Sequence, residues 1–497
     1  MLIDSSCIEE VYQETLELRY HIITKAEQLQ QKWHFADSHA HSYFNKLNLS
    51  YYLALRSVDI RPLQKKLAYL GLSSLSRIED HVLESIDALL ATLERMTQVQ
   101  SPRDYPILST EDHSQDSADS NAQRLFGKAS NDNHTSIMVT LSRDYTQKDI
   151  NKLVSNGMGI ARINCGHDVP EVWRQMVQFV QEANEKLNKE CRMFFDLAGP
   201  KIRIKWLVQS SNQQKIQVND TFLLTGNPNI KISPDYAFQV GVDVPELLDA
   251  VTVGDPVLID DGSIAGEVQE RVTEGLLVKV SRINKKKGVR LKTEKGINFP
   301  QSDIEQSILT QKDHRDLQEI IGMADIIGVS FVKTKEDMKT AIDIIQAQNP
   351  HEEKIPIVAK IETKKGAKHL PEIILSLPDN QPFGVMVARG DLAVETGFKR
   401  LGELQQQILW ICEAANVPVI WATQVLENLA KTGTPTRSEI TDITDGAARA
   451  DCVMLNKGPY IVDAVILLNE LLEIASENSY KQQPLSRSLK MAERVFK

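Results

Sequence analysis

Two short stretches decide the fold: IPIVAKIET at residues 355–363 and QPFGVMVARGDLAVE at residues 381–395. Each carries an apolar run of strand length that stops abruptly at charged side chains. A strand covered on both faces reads as a continuous apolar run, the mark of a parallel sheet flanked by helices. The charged residues then fall at the carboxyl end of the strand, where open and closed α/β sheets gather their functional groups.

Outward from this pair the same unit recurs. Strands are expected at Ser136–Leu141, Gly159–Cys165, Arg192–Leu197, Asp325–Val332, Ile355–Ile361, Phe383–Ala388, Val417–Ala422 and Cys452–Leu455. Helical stretches follow them, among them Pro170–Leu187, Lys335–Gln348 and Leu401–Ala415. Eight successive β–α units predict an α/β fold, a closed (β/α)8 TIM barrel; on pattern alone an open doubly wound sheet is the alternative.

The third unit is interrupted. Between Ile204 and Thr293 the sequence turns to short alternating strands, GDPVLIDDGSIAGEV at 254–268 and GLLVKVSRI at 275–283. This composition predicts a small β-barrel inserted at a strand end, a common place for a lid. The barrel would then occupy residues 135–203 and 295–478, with the lid at 204–294 and a tail at 479–497.

Residues 1–100 read as a helical extension. Glu9–Gln31 has a long helical pattern, Pro62–Leu70 a shorter one closed by Gly71, and Leu75–Leu93 an apolar face with Ser76 and Glu79 placed as a capping box. A helix-turn-helix around Gly71 is disfavoured by its acidic second helix, which carries Glu79, Asp80, Glu84, Asp87 and Glu94. His34, His39 and His41 lack the carboxylate or cysteine that would complete a metal-ligand spacing. Residues 101–134 are rich in Ser, Asp and Asn and read as a linker.

The chain has 497 residues and a formal charge of −10, which argues against nucleic acid as a main partner. Its five cysteines are widely spaced without a CxxC pair, as expected of buried thiols in a reducing compartment. MLIDSSCIEE shows no secretory signal and no run reaches the length of a membrane span, so a soluble, cytoplasmic protein is expected.

The strand ends offer a coherent set. Strand two ends ARINCGHD with Arg162, Asn164 and His167; strand three ends DLAGPKIR with Asp196, Lys201 and Arg203; strand five supplies Lys360 and Glu362; strand six supplies Arg389, Asp391 and Glu395; strand seven supplies Thr423. A lone lysine or glutamate at such a place is ordinarily solvated, but the coincidence of so many points to phosphoryl transfer, which rests on positioning and neutralisation of charge. Glu362 and Asp391 are hard oxygen donors suited to magnesium. Lys360 stands two residues before Glu362 and so shares its side of the strand.

These segments resemble the pyruvate kinase family: MGIARINCGHD (158–168), FDLAGPKIR (195–203), IDDG (259–262), KGINFP (295–300), VSFV (329–332), VAKIET (358–363), VMVARGDLAVE (385–395), VIWATQVLENL (419–429) and TPTRSE (434–439), in the family's order across about 135–475. The resemblance implies transfer of phosphoryl from phosphoenolpyruvate to ADP, giving pyruvate and ATP, with Mg2+ or Mn2+ held by Glu362 and Asp391. It implies that Lys360 neutralises the phosphoryl group, that Gly390 and Asp391 hold the substrate carboxylate, and that Thr423 stands near the enolate carbon. Arg162, Asn164 and His167 resemble the nucleotide- and phosphate-contacting set, supported by Arg203. A homo-oligomer is an expected assembly.

The departures also carry meaning. Asn164 and Asp196 match the family's potassium ligands, but Gly166 and Leu197 replace a serine and a threonine. Lys201 stands where potassium-dependent members have glutamate, so its ammonium is expected to take the ion's place and K+ is not expected to be required. Strand eight ends MLNKGPY where the family has Ser-Gly-Glu-Thr, LSRDY shortens the Gly-Pro-Ala-Ser-Arg run, and Ala198 replaces a lysine. These changes support an alternative, a catalytically impaired relative that binds phosphoenolpyruvate or nucleotide as sensor or scaffold. The usual carboxyl-terminal domain, with its sugar-phosphate site, is not expected.

Overall fold

The computed structural model describes residues 5–35, 40–97, 121–128, 135–209, 214–227, 236–242, 244–477, 479–480 and 483–484. Four helices come first: α1 (Ser5–Trp33), α2 (Ala40–Leu55), α3 (Arg61–Tyr69) and α4 (Val82–Thr97). The barrel strands are β1 (Ser136–Thr140), β2 (Met158–Asn164) and β3 (Arg192–Asp196). The inserted strands follow: β4 (Trp206–Gln209), β5 (Thr221–Thr225), β6 (Phe238–Gly241), β7 (Pro256–Ile259), β8 (Ile264–Val272), β9 (Gly275–Ile283) and β10 (Ile297–Asn298). The barrel resumes with β11 (Ile326–Val329), β12 (Ile357–Ile361), β13 (Phe383–Ala388), β14 (Val419–Ala422) and β15 (Cys452–Leu455).

Eight parallel strands close in the order β1-β15-β14-β13-β12-β11-β3-β2. All eight fall where the apolar runs placed them, and the closed barrel prevails over the open sheet. Helices with capping boxes at Thr146, Thr310 and Thr334 return the chain between strands.

The insert is a seven-stranded mixed sheet ordered β10-β7-β8-β9-β5-β6-β4, with β5 and β6 parallel. Where alternation led us to expect a small closed barrel, the sheet is a half-barrel with β10 and β4 at its edges. Alternation marks which residues face a core; it does not specify whether the edges meet. The insert keeps its own core, with Phe222, Phe238, Val268 and Val278 among the residues packed there.

The extension joins the barrel's outer core rather than forming a separate body: Leu49, Leu67, Ile86 and Leu90 belong to one buried cluster with Leu409 and Cys412. Gly71 does close α3, with φ +70, the Leu72 N–H on the Leu67 carbonyl and the Gly71 N–H on the Ala68 carbonyl. The capping box at Ser76 and Glu79 does not form. α4 starts at Val82, whose N–H donates to Asn48 Oδ1 on α2 at 3.0 Å, while Asn48 Nδ2 donates to the Glu79 and Ala414 carbonyls, each at 2.8 Å. A side chain from another helix therefore does the capping, and α2 is itself a helix the sequence reading did not place. His39 lies outside the described residues.

The linker reading also fails in part. Residues 121–126 form a helix, α5, whose Leu125 and Phe126 are 1% and 2% exposed. They pack against Met138, Ile160, Phe194, Met386 and Met454 inside the barrel. Arg192 at the start of β3 donates to the Arg124 and Leu125 carbonyls, and Asn121 donates to the Asn416 carbonyl just before β14. α5 thus plugs the amino-terminal mouth of the barrel, opposite the charged rim. The rest of that linker, 101–120 and 129–134, and all of the tail but 479–480 and 483–484, lie outside the described residues.

Candidate active site

The rim cluster is built from the ends of β3, β11, β12 and β13. Lys360, 8% exposed, projects from β12 with its ammonium 3.0 Å from Asp196 Oδ1 and 3.2 Å from Glu362 Oε1, and donates to Ser330 Oγ at 2.7 Å. Burial works against that charge, but the Asp196 and Glu362 carboxylates outweigh it and hold the lysine above its ordinary pKa. Asp196, 1% exposed, accepts two hydrogen bonds on Oδ2 from Arg162, at 2.9 and 2.5 Å. Burial alone would raise its carboxyl, yet Lys360 and Arg162 bring it below the ordinary range.

Glu362 Oε2 accepts the Phe331 N–H at 2.6 Å, in a loop where Phe331 takes a left-handed φ of +59°. Burial raises the Glu362 carboxyl; Lys360 lowers it, and the nearby Asp391 and Asp196 add to the rise. Lys360 and Glu362 are therefore in contact, as the period-two spacing led us to expect, and Asp391 is near enough to raise the Glu362 carboxyl.

Glu362 and Asp391 are like charges close enough to repel, an oxygen-donor set that a hard divalent cation would relieve. Among the described residues no cluster of three or more His, Cys, Asp or Glu side chains is placed to hold a metal. Two carboxylates are nonetheless the number magnesium ordinarily takes from protein when substrate oxygens and water complete its shell. The residues fit.

Lys201 reaches the rim from the loop after β3. Its ammonium pairs with Asp391 Oδ1 at 2.6 Å and approaches Asp261 of the insert at 3.9 Å. Asp196 is engaged by Arg162 and Lys360 instead, and Asn164 Oδ1 accepts the Gly166 N–H at 2.9 Å within its own loop. The lysine supplies a positive charge at Asp391, at the junction of insert and barrel. A second contact across this junction joins Asn298 of β10 to Glu395, Nδ2 to Oε1, at 2.8 Å.

Arg162 is 8% exposed and spends its guanidinium on Asp196 and on Thr140 Oγ1, at 2.8 Å. His167 is half-buried. Burial, then Lys457, Arg203 and Arg162, push its imidazole below the ordinary histidine pKa against the opposing pull of Asp168. This is a cationic corner suited to phosphate. His167 is expected to titrate below the usual histidine range, and Lys457→Gln to move it upward. Imidazole NMR signals followed from acid to neutral pH check both; no movement in the variant would remove Lys457 from the corner. Since the fold disfavours the protonated ring, this group costs stability as pH falls through the unfolded-state value.

Thr423 stands at the end of β14 with φ +66°, and its Oγ1 is buried without a hydrogen-bond partner among the described residues. Its Cγ2 and Oγ1 lie 3.8 and 3.9 Å from where a Cβ on Gly390 would sit, so the hydroxyl overlooks the Gly390–Asp391 corner. Ser330, which supports Lys360 and donates to the Leu197 carbonyl at 2.7 Å, was missed by the sequence reading although it lies inside VSFV. Arg143, in the LSRDY segment, pairs with Asp168.

Fold and site together define a (β/α)8-barrel protein whose rim presents a buried lysine and a carboxylate pair beside an inserted half-barrel sheet. The sequence matches the family described as "Pyruvate kinase, barrel domain" over residues 132–465. It is 31% identical over 367 residues to a pyruvate kinase of Dictyostelium discoideum, covering 72% of this chain and 70% of that protein. It is 31% identical over 364 residues to pyruvate kinase PKLR of Rattus norvegicus, covering 70% of this chain but only 61% of the relative. A pyruvate kinase of Thermotoga maritima is 31% identical over 354 residues, covering 69% and 71%. The chain belongs to the pyruvate kinase family.

Proposed function

We propose that this chain is an active pyruvate kinase that transfers phosphoryl from phosphoenolpyruvate to ADP and is divalent-metal dependent. The observation that carries the reading is the buried Lys360 ammonium, pinned by Asp196, Glu362 and Ser330. A cation held rigid and dry at that point meets the developing charge of a phosphoryl group without reorganising.

Glu362 and Asp391 would hold Mg2+ or Mn2+, which when bound supplies Lewis-acid stabilisation of phosphoryl and enolate oxygens. The chain's own residues do the rest. Lys360 neutralises the phosphoryl oxygens in flight. The corner of His167, Arg203 and Lys457 attracts the nucleotide phosphates, while Arg162 orders Asp196. Gly390 leaves the backbone open to the substrate carboxylate. Once the P–O bond to the ester oxygen breaks and phosphoryl passes to ADP, the remaining enolate takes a proton at its methylene carbon, relayed from solvent through the Thr423 hydroxyl. The insert, tied to the rim through Lys201 and Asn298, closes over the site and excludes water.

Potassium independence is part of the proposal, motivated by the fixed positive charge that Lys201 brings to Asp391. Among the described residues no helix is long and apolar enough to cross a membrane, in keeping with a cytoplasmic enzyme. A homo-oligomer is an expectation carried over from the family.

The test is pyruvate formation from phosphoenolpyruvate and ADP with Mg2+, with and without K+. Turnover that K+ leaves essentially unchanged supports the whole reading. Strong stimulation by K+ removes the role given to Lys201. Binding of phosphoenolpyruvate without turnover selects the sensor or scaffold alternative, which the altered strand-eight loop at Asn456 and Lys457 favours.

A further inference from the structure

One buried side chain on the rim touches no expected substrate group, yet it hydrogen-bonds three residues and stacks on a fourth. Arg389 is 7% exposed and immediately precedes Gly390 and Asp391. Its Nε donates to the Ala422 carbonyl at 2.9 Å, its Nη2 to the Thr423 carbonyl at 2.5 Å, and its Nη1 to Asp442 Oδ1 at 2.5 Å. Its guanidinium carbon lies 4.5 Å from the centre of the Trp421 ring. Trp421 in turn donates from Nε1 to the other Asp442 oxygen, at 3.4 Å. Every edge of the fork is used, and its face is stacked.

The backbone that Arg389 grips is unusual. Thr423 and Gln424 both take left-handed conformations, with φ +66° and +59°, although neither is glycine. Such a pair persists only where its surroundings over-determine it. The result is a buried Thr423 hydroxyl with no protein partner among the described residues, held over Gly390. A lysine could not replace this clamp, because a point charge lacks the planar set of donors that reach two carbonyls and a carboxylate at once.

We infer that Arg389, oriented by Asp442, is a positioning residue: it holds the end of β14 in the left-handed turn that aims the Thr423 hydroxyl, and so serves protonation of the enolate rather than phosphoryl transfer. This deepens the reading of Thr423 given above and rests on it.

The test is a double-mutant cycle with Arg389→Lys, Thr423→Val and their combination, with Asp442→Asn as a milder variant should Arg389→Lys fold poorly. Two readouts are taken on the full chain: kcat and KM for phosphoenolpyruvate, and exchange of the pyruvate methyl protons in D2O with Mg2+ and ATP present. Thr423→Val and Arg389→Lys are each expected to slow turnover and exchange by about a hundredfold or more, within the range of one proton-transferring group. KM should change little. The combination should be no slower than Thr423→Val alone, because residues acting as a unit are not additive. Asp442→Asn should show a smaller loss that likewise vanishes in the Thr423→Val background. Multiplying losses, or a loss confined to KM, overturn the clamp while leaving Thr423 in place. Undiminished exchange in Thr423→Val overturns the Thr423 reading and the clamp's purpose with it.

Discussion

Replacing Lys360 by methionine should lower turnover by about a thousandfold or more, the scale on which a cation aimed at a transferring phosphoryl group acts. The expectation follows from the geometry. Among the described residues the ammonium is the one group that touches Asp196, Glu362 and Ser330 together, and methionine fills its volume without its charge. The same change should be felt in stability. Asp196 and Glu362 are 1% and 3% exposed, so removing the cation between them leaves two buried carboxylates facing each other with Arg162 on one side only. Breaking a buried pair in this way costs about 3–5 kcal/mol.

The sign of the pH effect separates this loss from simple loss of packing. Without Lys360 the two carboxyls are driven upward, so the native variant holds protons more readily than its unfolded chain. Its deficit relative to the parent must then shrink as pH falls through the raised values. Urea unfolding of parent and variant at mildly acidic and mildly alkaline pH measures it. A deficit equal at both would mean that Lys360 serves as packing, and near-normal pyruvate formation would end the proposed mechanism.

The second large effect lies at the opposite mouth of the barrel. Phe126→Ala should destabilise the fold by about 3–5 kcal/mol, the usual cost of emptying a buried aromatic site. The ring is 2% exposed and packs with Leu125 among residues contributed by every barrel strand, from Met138 and Ile160 to Ile420 and Met454. Collapse to fill the gap is resisted because closed strands cannot move inward independently. The loss should appear as a lower urea midpoint at unchanged slope. Because α5 sits at the amino ends of the strands, KM for phosphoenolpyruvate should stay close to the parent value wherever the variant is folded. A midpoint within experimental error of the parent would show that α5 is not the plug described.

Lys201 shows where a reading by resemblance stops. Its identity was legible, and so was its place after β3, but the carboxylate it meets depends on how the insert folds back over the rim. The structure pairs it with Asp391 and brings it toward Asp261, because Asp196 already has two cationic partners. Ser330 is a similar case: one hydroxyl in an apolar motif gives no signal until a lysine from the neighbouring strand is seen to rest on it.

The sequence by itself determined the strands, the order of the units and the charged residues at their ends. These are local properties: an apolar run of strand length, a period of two and a Thr-x-x-Asp cap are set by neighbours along the chain. Tertiary structure alone decided that α5 fills the barrel, that Asn48 rather than Ser76 caps α4, and that the insert stops at a half-barrel. It also decided that Arg389 bends the backbone at Thr423. Each of these depends on a group arriving from far along the chain to satisfy a buried polar atom or fill a void, and no periodicity in the sequence records that meeting.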